Sequence, residues 1–60
     1  MPTIAELQVA LSEVEEEIRE CEETIIKSFP KKNIETISQY AGYLACRDLI
    51  KTLLHKMVSP

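Results

Sequence analysis

Of the side chains able to do chemistry, the chain offers one histidine (His55), two cysteines (Cys21, Cys46), two tyrosines (Tyr40, Tyr43) and a dense run of glutamates. Cys21, Cys46 and His55 have neither the C-x-x-C nor the H-x-x-x-H spacing that gathers zinc ligands. There is no Gly-rich phosphate loop and no nucleophile elbow. Catalysis needs convergent groups in a water-excluding pocket, and 60 residues with these spacings supply little material for one. No catalytic residue, cofactor or metal is expected. His55 reads as a helix-end residue interacting with the dipole and with Lys51 or Asp48.

The glutamates are the more informative group. Glu13, Glu15, Glu16, Glu17, Glu20, Glu22 and Glu23 crowd into one stretch. They read either as the solvated face of a bundle helix or as a docking line for a basic partner, with Glu13, Glu16, Glu20 and Glu23 the candidate contacts. Tyr40 and Tyr43 lie three apart. Either they are boundary residues with rings inward and hydroxyls in water, or they form an aromatic contact for another protein, framed by Arg47 and Asp48. Direct binding of DNA or RNA fits poorly, because phosphate contacts need clustered bases and here only Lys27, Lys31 and Lys32 gather.

These groups must be positioned by helices. Ile4, Leu7, Leu11, Val14, Ile18, Cys21, Ile25 and Ser28 recur at alternating steps of three and four, a heptad seam with only its last member polar. Thr3 as N-cap and Glu6 three residues on form a capping box that starts this helix. Glu15 with Arg19, and Glu23 with Lys27, are i,i+4 pairs that add tenths of a kcal/mol. Pro30 has no amide hydrogen and disfavours helical geometry at Phe29, so the first helix spans about 3–28 and a turn follows at 29–33. Phe29 is expected to fold back as a plug over the open end.

Asn33 can cap a second helix over about 33–58, and so short a connection makes the two antiparallel. The pattern of the second helix is less regular. Ile34, Ile37, Ala41 and Leu44 share one side, Leu49, Ile50, Leu53 and Met57 lie nearly opposite, and the row Ile37, Ala41, Ala45, Leu49, Leu53, Met57 joins them as an i+4 ridge. Two explanations fit. The first half covers the first helix while the second half also faces another subunit, with Gly42 marking a close crossing, or the helix kinks at Gly42.

The first 28 residues hold eight acids and two bases, a balance of −6, and the remainder balances at +3. That division favours the first helix beside the second over parallel self-pairing, where like charges would meet. With 45% hydrophobic residues and a single Gly, the composition suits packed helices, but a chain this small buries a marginal core and is expected to dimerise. Level with Cys21 is the region of Tyr40, which leaves the two sulfurs about 9 Å apart along the axis, so no internal disulfide is expected. Charges interrupt every window long enough to span a membrane, and no basic-then-apolar leader opens the chain, so the expected location is cytoplasmic.

The expectation is therefore an all-α, two-helix antiparallel hairpin, one domain over 1–60, dimerising into a four-helix bundle. Its core and dimer positions would be Ile4, Leu7, Leu11, Val14, Ile18, Ile25, Ile37, Ala41, Gly42, Leu44, Ala45, Leu49 and Leu53. Two resemblances add to this reading. The helix–short turn–helix plan with a cysteine-bearing seam resembles the Rop family of plasmid RNA-binding dimers. That family binds RNA through a basic face of its first helix, whereas this first helix is acidic. The segments Glu6-Leu7-Gln8-Val9-Ala10-Leu11 and Leu44-Ala45-Cys46-Arg47-Asp48 resemble the small early accessory proteins of lambdoid phages, encoded between the exonuclease and excisionase genes. That resemblance implies a dimeric helical hairpin with an acidic surface, favouring lytic growth through a host or phage protein in the host cytoplasm. A Rop-like RNA-binding regulator is the alternative.

Overall fold

A computed structural model describes residues 1–58. It consists of α1 (Ile4–Ser28) and α2 (Ile34–Val58), packed side by side and antiparallel in a rod of 47 × 16 × 14 Å. The expected all-α hairpin is what forms.

Each helix begins where a side chain can satisfy amides that the first turn leaves unpaired. At α1 the Glu6 amide donates to Thr3 Oγ1 at 3.1 Å while the Thr3 amide donates to Glu6 Oε1 at 3.2 Å, completing the capping box. At α2 the Thr36 amide donates to Asn33 Oδ1 at 3.2 Å and the Ile37 amide to the Asn33 carbonyl at 3.0 Å. The end of α1 is held by the Phe29 amide, which donates to the Ile25 and Ile26 carbonyls, and by Ser28 Oγ, which donates to the Thr24 carbonyl at 2.9 Å. Phe29 itself is extended, as a residue before proline prefers, and the Lys31 amide closes the turn onto the Ser28 carbonyl at 2.8 Å.

The α1 seam faces α2. Leu7, Ile18 and Cys21 are buried, while Leu11, Val14, Ile25 and Ser28 are half-buried. Ile4, at the open end, remains exposed. The side of α2 that answers it is not the one expected. Thr36, Tyr40, Tyr43, Arg47, Ile50 and Leu54 step by four and three with the same period as the seam; Ile50 is buried and the other five are half-buried. Ile34, Ile37 and Ala41, expected to cover α1, are exposed, and only Leu44 of that group is half-buried. The physical reason is that a seam already rich in isoleucine and leucine can be covered by ring faces and by the Arg47 stem, with their polar ends left in water.

Two further expectations are corrected. Phe29 does not plug the open end; it is 78% exposed at the turn, because its extended backbone carries the ring away from the short interface. Glu15 with Arg19 and Glu23 with Lys27 do not close as ion pairs. The single pair among the described residues is Arg47 with Asp48 at 3.2 Å, as the small gain of an exposed pair rarely fixes two long side chains. Through Gly42, α2 is one continuous helix, and a side chain added there would meet open space.

Candidate interaction surface

On the helical wheel Glu13, Glu16, Glu20 and Glu23 lie on the side of α1 opposite the seam that packs on α2. The capping box fixes where the helix starts and the seam fixes its rotation, so these four carboxylates lie on the outer side of the hairpin, Glu13 and Glu16 at the edge of a flank groove. All four are exposed, and none takes part in a hydrogen bond or ion pair among the described residues. From Glu13 to Glu23 the line runs about 15 Å along the axis.

The two tyrosines do not make one patch. Tyr40 is half-buried and its hydroxyl donates to Glu22 Oε2 at 2.9 Å, on one flank of α1, beside a groove lined by Ile25 and Ile26. The Glu22 hydrogen bond, followed by burial and the negative charge of the same carboxylate, raises the Tyr40 phenol above its ordinary value. Tyr43 belongs to the other flank, where it lines a shallow groove with Glu13, Val14, Glu16 and Glu17. The fold thus brings Tyr43 together with Glu13 and Glu16 and separates both from Tyr40. Glu20 and Glu23 continue the acidic line along the back of α1.

Arg47 lies between the two helices' polar edges. Its guanidinium donates through Nε and Nη2 to Asp48 Oδ1 at 3.3 and 3.2 Å, and it lines a groove with Glu15, Ile18, Arg19 and Glu22. Cys21 is a buried free thiol and Cys46 an exposed one. His55 is exposed in the last turn of α2. No group of three His, Cys, Asp or Glu side chains among the described residues is placed to hold a metal ion, and no described helix is long and apolar enough to cross a membrane.

The apolar side of α2 expected to cover α1 does not do so. Ile37, Ala41, Ala45, Leu49, Leu53 and Met57 all remain exposed; Ala41, Ala45 and Leu49 lie on the side of α2 turned away from α1, and Ile37, Leu53 and Met57 on its flanks. The signal that could have shown this was the heptad of Thr36, Tyr40, Tyr43, Arg47, Ile50 and Leu54, whose period matches the α1 seam despite its polar members. So α2 carries an amphipathic line that packs on α1 and a separate apolar row that does not. Comparison with known protein families, curated proteins and solved structures finds no match to this chain.

Proposed function

We propose that the chain is a non-enzymatic interaction protein: a self-associating helical hairpin that docks a basic protein partner through the outer face of α1. The observation that carries this reading is the set of exposed, unpaired carboxylates Glu13, Glu16, Glu20 and Glu23 on a rigid helix, with Tyr43 beside the first two. A line of fixed like charges steers an oppositely charged surface into register and accelerates encounter. Self-association is supported by the separate apolar row of α2, which the hairpin leaves in water. The resemblance to lambdoid-phage early accessory proteins suggests the setting, an infected cell in which the partner is a host or phage protein controlling lytic development.

The test is affinity capture from host extract with mass-spectrometric identification, followed by titration of the identified partner. Replacing Glu16, Glu20 and Glu23 with Gln is expected to weaken that binding about tenfold or more, roughly 1.4 kcal/mol, with helicity unchanged. Unchanged affinity would reject the acidic face as the docking surface. The exposed lysines Lys27, Lys31 and Lys32 at the turn favour the second reading, a Rop-like RNA binder. RNA retention that falls steeply with salt and depends on those lysines would decide for it.

A further inference from the structure

We infer that the apolar row on the back of α2 is the seat of a second copy of this chain, the two α2 helices crossing antiparallel about a twofold axis between Ala41 and Ala45. This rests on the self-association included in the proposed function and specifies the surface and register.

Three observations lead to it. First, the row Ile37, Ala41, Ala45, Leu49 reads large, small, small, large, so that reversing one copy opposes Ala41 to Ala45 and Ile37 to Leu49. A twofold interface requires that kind of self-complementarity, each position meeting its counterpart twice. Second, all four residues are exposed and the neighbouring Gly42 has open space where a side chain would project, so two backbones can approach closely. An i+4 ridge packed into its own copy crosses at about −50°, the commonest angle for helices in globular proteins.

Third, charge selects this face over the others. The charged residue bordering the row, Asp48, already has Arg47 of its own helix as counter-ion at 3.2 Å, so the twofold axis brings no bare like charges together. Pairing through the outer face of α1 would instead oppose Glu13, Glu16, Glu20 and Glu23 to their own copies. Crossing on the back of α2 gives the order α1, α2, α2, α1 and leaves both acidic faces outermost. This layered arrangement differs from a square four-helix bundle, in which α1 would also contact the partner.

The register is tested by cross-linking in a Cys46→Ser background. An equal mixture of the Ala41→Cys and Ala45→Cys chains is expected to form a mixed disulfide dimer under mild oxidation, well in excess of what either chain forms alone. Equal cross-linking in all three samples would overturn the register. Sedimentation equilibrium of the Ala45→Glu chain supplies the second arm, because the position is exposed in the hairpin. Its dissociation constant is expected to rise at least a hundredfold. A wild-type dimer unaffected by Ala45→Glu would overturn this interface while leaving self-association standing, whereas a monomeric wild-type chain would overturn both.

Discussion

The Tyr40 hydroxyl donates to Glu22 Oε2 at 2.9 Å, the one side-chain hydrogen bond that joins the two helices among the described residues. It marks the level at which α2 meets α1. Further along the pair, Tyr43 lines a groove with Val14 on one flank, and Arg47 lines one with Ile18 on the other.

That bond has a pH signature. A phenol whose pKa is higher in the folded chain than in the unfolded one holds its proton more tightly when folded. Its contribution to stability is fully present below the unfolded value, about 10, and is lost as pH rises through the raised folded value. In a Tyr43→Phe background, ultraviolet titration reports Tyr40 alone. Its midpoint is expected to lie above that of an ordinary tyrosine and to fall when Glu22 is replaced by Gln. An identical midpoint in both chains would show that the bond does not persist in solution.

Burial along α1 makes a paired prediction. Ile18 is 6% exposed at the centre of the seam, whereas Val9 is 60% exposed on the opposite side. Ile18→Asp leaves a charge without a partner in the interface and is expected to cost about 3–5 kcal/mol, enough to unfold so small a chain. Val9→Asp is expected to change stability by less than about 0.5 kcal/mol. Thermal unfolding followed by circular dichroism separates the two, and equal effects would contradict the assigned rotation of α1.

Phe29 provides a test at the turn. Sequence reading makes it a plug, and burial of a phenylalanine would contribute about 1.5–3 kcal/mol. Since the ring is exposed, Phe29→Ser is expected to shift stability by no more than about 0.5 kcal/mol. A loss of several kcal/mol in chemical denaturation would restore the plug.

These cases also show what could be read from the sequence and what could not. The rotation of α1 was legible because its seam is almost wholly apolar, and its start was legible because a capping box is a local motif whose partners are three residues apart. The turn was legible from Pro30 and Asn33 for the same reason. The inner face of α2 was not, because Thr36, Tyr40, Tyr43 and Arg47 are amphipathic and give a weak apolar signal, while the stronger row through Ala41 and Ala45 points the other way. The fate of Phe29 depended on the direction of one side chain at a turn, which no periodicity encodes. The acidic line was legible as charge, but its separation from Tyr40 emerged only once the two flanks of α1 were fixed in space.

We propose that this hairpin dimerises because α2 carries an apolar face that its own chain leaves uncovered. Sedimentation equilibrium of the wild-type chain at micromolar concentration tests it most directly. A helical dimer of twice the 6.9 kDa chain mass is expected, and a stable, folded monomer across that range would rule the dimer out.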